Sequence, residues 1–514
     1  MQQVSNDHSG HDGHGAHGGH GGHGGAITVG PKDPRFDDLA TGANQRWTSR
    51  PEYVRLVSSA RQVVDAVEDA VRADVPVSVR SGGHCYEGLV DGQVIIDMSL
   101  MKQVYYDSRH RAFVVEPGAL LGDVYATLYK GWGVTLPGGS CPSVGVGGHA
   151  LGGGYGLLSR RHGLVIDHLY AIEVVVVDRH RRVRTVFATR EASDPNRDLF
   201  WAHTGGGGGN FGCVVRYWFR SPKATGHDPS EQLPHPPSRV LISTVTWAWQ
   251  DLPPAAFAGL VRNFGAWHEA NDADGSPNAD LFSQLEPAPL AAGTVTMHTQ
   301  VDATAPDAVA RLDRFVRAVN EGVGVPFREE RQELGWLHST QWNGFNGPEQ
   351  PTMRFKAKVA QMRRGWTDEQ IAAMYHHLTQ VNYQNPGARI MFISFGGRIN
   401  AVDPHATAYP HRDSVMLAHL VSMWTDAGQD EQHVSWVRNF FHDLFAATDG
   451  VPVVNEQTDG SYINYPDLDL LDNSAKVPWH DLYYKDNYPR LQRIRARWNP
   501  LGVFGHEMSI ALPD

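Results

Sequence analysis

The spacing of hydrophobic positions changes several times along this chain, and each change predicts an element. Between residues 59 and 72, Val63, Val64, Val67 and Val71 return at helical intervals. Ser59 followed by Gln62 fits a capping box at the start of that helix. Pro76 breaks the pattern, and Val77-Ser78-Val79-Arg80 reads as a strand that runs straight into glycine. Residues 94–98 and 112–116 read as further strands, the second closed by Pro117-Gly118. Residues 122–131 predict a helix, and residues 174–177 form the β-branched run of a buried strand. Prolines crowd residues 222–254 and mark a boundary. Beyond it, residues 241–247 and 294–299 predict strands, and residues 367–375, continuing toward Val381, a helix. From residue 457 the chain turns rich in Tyr and Asn, as a different unit would.

This mixture of elements predicts an α+β protein. At 514 residues the chain is long enough for about two to four domains. The net charge of −11 argues against nucleic acid as a partner, because phosphate binding needs a positive face. No apolar run reaches the ~20 residues of a membrane span, and no charged start with an apolar core marks a secretory signal. A cytoplasmic location is the default expectation, with secretion left open. Nothing in the sequence sets the oligomeric state. Residues 1–25 carry His8, His11, His14, His17, His20 and His23 among Gly, Ser, Asp and Ala, a composition that predicts disorder. The tail also raises a rival reading, a metal-binding protein using neutral imidazoles; no metal site is expected elsewhere. The three cysteines, Cys85, Cys141 and Cys213, do not make a disulfide scaffold, so their reactivity matters more than cross-linking.

The candidate chemistry lies in glycine-rich turns. Arg80-Ser81-Gly82-Gly83-His84 and Pro137-Gly138-Gly139-Ser140-Cys141-Pro142-Ser143-Val144-Gly145-Val146-Gly147-Gly148-His149 each place a nucleophile where backbone can press against a ligand. Imidazole and thiolate are the side chains that commonly bond to an isoalloxazine ring, so two such turns suggest a flavin held at two points. Taken singly, His84 also fits a turn histidine and Cys141 a buried inert thiol. Gly145 to Ala150 satisfies the G-x-G-x-x-A dinucleotide pattern, which raises a nicotinamide-dependent dehydrogenase as a rival. The prolines before it do not make a central strand, and the glycines after it disfavour a helix, so a Rossmann site is not expected. A third loop, Thr204 followed by Gly205 to Gly209 and then Asn210-Phe211-Gly212, has apolar flanks and reads as close backbone approach, not as a linker.

From Pro34 to the C-terminus these motifs, with Asn464-Tyr465-Pro466-Asp467, resemble the berberine-bridge-enzyme-like group of the vanillyl-alcohol-oxidase flavoproteins. The similarity is greatest to bacterial members of the aclacinomycin oxidoreductase and glycopeptide hexose oxidase type, which oxidise sugars on antibiotics. The resemblance implies the two-domain FAD-linked oxidase fold. Residues 26–222 and 457–514 would form the FAD-binding domain, and residues 223–456 a substrate-binding domain with an antiparallel sheet and helices. It also implies FAD bonded through its 8α-methyl to His84 and through C6 to Cys141, with Arg80, Ser81, Gly82, Gly83, Gly138, Gly139, Val144, Gly145, Gly148, His149, Gly153, Gly154, Tyr155, Gly209, Asn210, Gly212 and Asn464 around it. By the same resemblance Tyr465 is the catalytic base, where the residues alone fit a core aromatic equally well. Val144 stands where small side chains admit oxygen.

Two positions depart from the family. Cys213 replaces an aliphatic residue and, like Cys85, reads as a small core residue. Phe395 of Phe395-Gly396-Gly397 stands where a second tyrosine occurs, so a single two-electron oxidation is expected. The implied function is an FAD-dependent oxidase that turns an alcohol of a saccharide or glycosylated natural product into a carbonyl, with O2 reduced to H2O2. The alternative on the same fold is oxidative cyclisation or dehydrogenation of a non-sugar secondary metabolite.

Overall fold

A computed structural model describes residues 25–346 and 350–513. The histidine tail, residues 8–23, lies outside the described residues, so the metal reading is not addressed by the fold. The described residues form three sheets, and helices cover them. In the first, Tyr53–Leu56, Val94–Asp97 and Val77–Arg80 run parallel, with Ile27–Val29 antiparallel at one edge. The predicted helix spans Ala60–Ala73 and crosses between the first two sequential strands of the parallel set. Ser59 Oγ accepts from the backbone of Gln62, as expected, but the Gln62 side chain reaches back to Ser58 N–H (2.8 Å), one residue earlier than a capping box requires.

The second sheet is antiparallel, in the order Val104–Asp107, Ala112–Val115, Cys213–Phe219, Leu169–Val177, Val183–Thr189. The β-branched run predicted at residues 174–177 sits here with both faces buried. Val175 and Val177 pack with Cys213 into the core shared with the first sheet, and Val174 and Val176 into the larger core on the other side. That double burial is why the run is continuous and not alternating.

The third sheet has seven antiparallel strands in the order Arg328–Gly335, Arg239–Ala248, Thr294–Asp302, Phe282–Pro287, Arg389–Ser394, Met416–Trp424, Arg354–Met362. Helices Pro254–Ala270, Ala308–Val319, Asp368–Leu378 and Asp430–Leu444 bury their apolar stripes against one face. The opposite face is turned to a cavity. The helix expected to continue toward Val381 stops at Leu378; Val381 is 78% exposed and has nothing to pack on.

The C-terminal segment joins the sheets. At the edge of the third sheet Gln361 N–H donates to the Gly460 carbonyl and the Gln361 carbonyl accepts from Asp459 N–H, and Phe504 pairs in parallel with Val77 at the edge of the first. Between those points the segment carries Asn464 and Tyr465 across the cavity. No helix among the described residues is long and apolar enough to cross a membrane.

Burial also sets a pH dependence. His203, His268 and His419 are almost wholly buried, and burial pushes their imidazoles down to about 4, 3 and 3. A depressed histidine pKa means the folded state refuses a proton that the unfolded state accepts below ~6.5. Their full contribution is therefore present above that value and is lost as pH falls toward the folded values. Each histidine removes about 1.4 kcal/mol per pH unit in that interval. Thermal unfolding followed by circular dichroism should show the midpoint falling steadily from pH 6.5 to pH 4.5 (about two units); a flat profile would contradict this.

Candidate active site

The parallel strand Val77–Arg80 ends at the cavity, and its glycine turn forms one wall. Arg80 is held there by Asp97, with Nε and Nη2 donating to Oδ2 at 2.9 and 2.6 Å. Ser81 Oγ donates to the Pro117 carbonyl (2.5 Å), which fixes the turn's direction. The second turn packs directly on the first. A Cβ on Gly82 would lie 2.4 Å from Gly145 N, and one on Gly145 would lie 2.4 Å from Gly82 N. Only glycine at both positions lets the two backbones meet. The contact brings His84 and Cys141 to the same wall, where Ser143 Oγ is 2.9 Å from His84 Nε2 and 3.4 Å from Cys141 Sγ.

The cavity has a volume of about 430 Å³. Of the residues expected around the cofactor, Arg80, Ser81, Gly82, Gly83 and His84 line it from the first turn. Gly139, Cys141, Val144, Gly145, Gly148 and His149 line it from the second, and Tyr155, Gly209, Asn210, Asn464 and Tyr465 complete that set. Four expected residues do not line it. Gly138 is packed against the Tyr125 hydroxyl, and its carbonyl leaves no room for a side chain at Gly156. Gly153 and Gly154, at φ 127° and 74°, form the turn behind the cavity against Tyr409 and Val165. Gly212 lies under Val175, where a Cβ would meet its carbonyl at 2.6 Å. These glycines shape the fold and do not face the ligand space. Conversely, Cys85, expected in the core, lines the cavity, because residues after Arg80 run as an irregular loop along its wall.

A short helix, Val146–Leu151, follows Gly145 and ends at Gly152, where the run of glycines expected to disfavour a helix begins. Val146, Ala150 and Leu151 are buried, so packing overrides the propensity cost. The segment before it is a proline-containing loop and not a strand, which still separates it from a dinucleotide fingerprint. His149 is walled in except on the cavity side, and burial lowers its imidazole to about 4. Its neutral Nε2 accepts from Gly139 N–H (3.1 Å), so it braces the second turn. The third glycine loop divides its work. Gly205 is pressed against Tyr409, Gly207 to Gly209 present bare backbone to the cavity, and Asn210 Nδ2 donates to the carbonyls of Gly206 and Gly208.

Tyr465 stands over this wall. Its ring lies nearly parallel to those of Tyr86 (centroids 4.6 Å apart) and His419 (4.9 Å), and its hydroxyl is 3.0 Å from that of Tyr155. Burial raises all three phenols, but the hydrogen bonds separate them. Those from Tyr155 and Tyr86 lower Tyr465, while the same bonds raise Tyr155 and Tyr86. Tyr465 is thus the phenol whose anion the neighbouring hydroxyls favour; in the Tyr155–Tyr465 hydrogen bond itself either hydroxyl can donate. Asn464 Nδ2 donates to the His149 carbonyl and the Tyr462 hydroxyl, both at 2.9 Å, which ties this segment to the second turn.

The remaining wall went unnoticed in the sequence. On the third sheet, Phe282, Gln284 and Glu286, then Arg389, Met391 and Ile393, then His419, Val421 and Met423 line the cavity. The period of two is that of one sheet face. Burial depresses His419, as noted, and its buried Nε2 has no hydrogen-bond partner among the described residues. Glu286 takes hydrogen bonds from Gln284 (2.7 Å) and Arg389 (3.0 Å). The alternation that would have exposed these strands is hidden because both of their faces are buried.

The cavity suits a flat, phosphate-bearing cofactor in a physical sense. A Cβ on Gly148 would meet nothing within 4 Å, and Gly208 would meet only Leu151, so backbone faces open space. Both nucleophiles reach that space. Comparison with known proteins agrees. Residues 51–180 match the family described as FAD binding domain, and residues 461–511 the one described as berberine and berberine like. Aclacinomycin-N/aclacinomycin-A oxidase of Streptomyces galilaeus is 49% identical over 95% of this chain and 90% of its own length. Hexose oxidase of Chondrus crispus is 30% identical over 94% of this chain and 95% of its own length. The solved structure of glycopeptide hexose oxidase complexed with teicoplanin is 47% identical with a TM-score of 0.90, covering 95% of this chain and 99% of that one. The chain belongs to the berberine-bridge-enzyme-like FAD-linked oxidases of the vanillyl-alcohol-oxidase superfamily. It is an oxidoreductase that uses FAD and oxygen.

Proposed function

We propose that this oxidase converts an alcohol carbon of a saccharide or glycosylated natural product to a carbonyl, with FAD bonded to both His84 and Cys141. Residues 26–222 and 457–514 form its FAD-binding domain and residues 223–456 its substrate platform. The observation that carries the reading is the shared cavity: the Tyr465 oxygen, 3.0 Å from the Tyr155 hydroxyl, opens onto the space that His84 and Cys141 also face. The names of the relatives, which include an aclacinomycin oxidase, a hexose oxidase and a glycopeptide hexose oxidase, support the substrate class.

Bound FAD supplies the acceptor for a hydride from carbon and passes the electrons to O2, yielding H2O2. The chain's residues do the rest. Tyr465 takes the hydroxyl proton, and Tyr155 and Tyr86 stabilise the charge that develops on its oxygen. His419, neutral and unpartnered at Nε2, binds a hydroxyl of the substrate. Glu286 and Gln284, two strand spacings or about 10 Å from His419, form a polar patch with Arg389, which stands on the strand between them on the same sheet face. Phe282, Met391 and Met423 supply apolar contact between and around these groups. Val144 leaves oxygen a path to the flavin. Phe395, buried against Tyr155, offers no second base, so one two-electron step is expected.

The test is peroxide release across a panel of oligosaccharides, an aclacinomycin, a glycopeptide and a non-glycosylated alkaloid. Turnover of sugar-bearing compounds supports the reading. Turnover of the alkaloid alone would favour oxidative ring closure or dehydrogenation instead.

A further inference from the structure

We propose that Ser143 carries the proton Cys141 must lose as its sulfur bonds the flavin, and delivers that proton to His84. The inference rests on the bicovalent attachment proposed above. Ser143 Oγ is 3.4 Å from Cys141 Sγ and 2.9 Å from His84 Nε2, and all three side chains sit half-buried in the two turns that Gly82 and Gly145 press together. A hydroxyl accepts one proton while donating its own, so one serine connects thiol and imidazole without rearrangement. The nucleophile in such a reaction is the thiolate, and the thiol proton needs a destination inside a wall of glycine backbone.

The bonds balance as follows. The Cys141 S–H and the flavin C6–H are broken and one S–C6 bond forms. The thiol proton passes to Ser143 Oγ as the serine proton passes to His84 Nε2. Two electrons and two protons leave in all, and O2, which the enzyme already uses, takes them as H2O2. Nε2 must keep its lone pair for this transfer, so the bond from His84 to the ring methyl goes through Nδ1. Ser143 is a positioning and proton-carrying residue for attachment and has no part in substrate turnover.

The experiment maps flavin-bearing peptides by mass spectrometry after the purified holoenzymes are denatured and digested. In the parent protein one flavin should join the peptides that contain His84 and Cys141. In Ser143→Val the flavin should remain on the His84 peptide while the bond to Cys141 forms about a hundredfold more slowly, the lower end for a lost proton-transfer group. Ser143→Thr should restore the cross-link; threonine and valine have nearly the same shape and differ by the hydroxyl, and Ser143→Ala repeats the comparison should the valine variant not fold. Incubating Ser143→Val in air above the ordinary thiol pKa of ~8.5 should form the missing bond, because hydroxide then removes the proton directly. Full cross-linking in Ser143→Val or Ser143→Ala, none in Ser143→Thr, loss of both bonds together, or no rescue at alkaline pH would each overturn the proposal. A parent protein without the cross-link would instead contradict bicovalent attachment itself.

Discussion

Replacing Tyr465 with phenylalanine is expected to lower kcat by about 10²–10⁴-fold while leaving the protein yellow. The substitution removes one oxygen from a cluster whose rings are already fixed by stacking on Tyr86 and His419, so the cavity keeps its shape. What is lost is the phenol whose anion the hydroxyls of the other two favour. Burial raises Tyr465 above the ordinary tyrosine value, so its proton-accepting form grows as pH rises. The parent enzyme's kcat/KM should therefore climb with pH through the neutral range, and that limb should vanish in Tyr465→Phe. Tyr155→Phe removes a single donor to the developing phenolate. A charged hydrogen bond of that kind is worth about 1.5–3 kcal/mol, a loss of roughly 10–100-fold. Steady-state peroxide release on the first substrate found would measure both. Equal rates in Tyr465→Phe and parent would remove the proposed base.

Lys356→Met is expected to cost about 3–5 kcal/mol of stability, the range for breaking a buried ion pair from one side. Lys356 is 1% exposed, and its ammonium donates to Glu87 and Asp467, each at 2.7 Å. Those carboxylates follow Tyr86 by one residue and Tyr465 by two, so one lysine on the third sheet ties together both loops that bear the stacked phenols. Burial acts to raise Asp467, but Lys356 and Lys358 outweigh it and hold the carboxyl below its usual range. Glu87 is raised by burial with only partial relief from Lys356. Without the lysine, Glu87 loses its close cation, and Asp467 keeps Lys358 at 2.6 Å and the Asp469 N–H at 3.2 Å. Thermal unfolding of the two proteins at one pH would measure the effect. A midpoint within a degree of the parent's (about 1 kcal/mol or less) would show that the loops do not depend on this ion pair.

The sequence shows the cofactor side of the site more clearly than the substrate side. Glycine turns that must meet backbone to backbone leave a mark that no other constraint writes, and Gly82 and Gly145 carry it. Strands buried on both faces, such as Leu169–Val177, announce themselves as continuous β-branched runs. The substrate wall does not. His419, Glu286 and Arg389 come from strands separated by long stretches of chain and are joined only by sheet pairing, which places Met391 opposite His419. The edge strand Arg328–Gly335 was equally hidden, since its sequence, Arg-Glu-Glu-Arg-Gln-Glu-Leu-Gly, has no apolar alternation. Charge on an edge strand discourages pairing with another chain, so its polarity reflects position in the sheet and not the absence of a strand. The glycines from Gly152 onward do end the helix, as their propensity predicts, but burial of Val146, Ala150 and Leu151 sustains one short run, Val146–Leu151, ahead of them.

The most direct measurement is the mass of the denatured polypeptide, taken for the parent, for His84→Ala, for Cys141→Ala and for the double variant. A flavin pinned at two points predicts that the parent and both single variants stay heavier by one FAD, each single variant retaining the other bond, and that the double variant has the bare mass of the chain. A parent polypeptide at its bare mass, with all its flavin released on denaturation, would contradict the account.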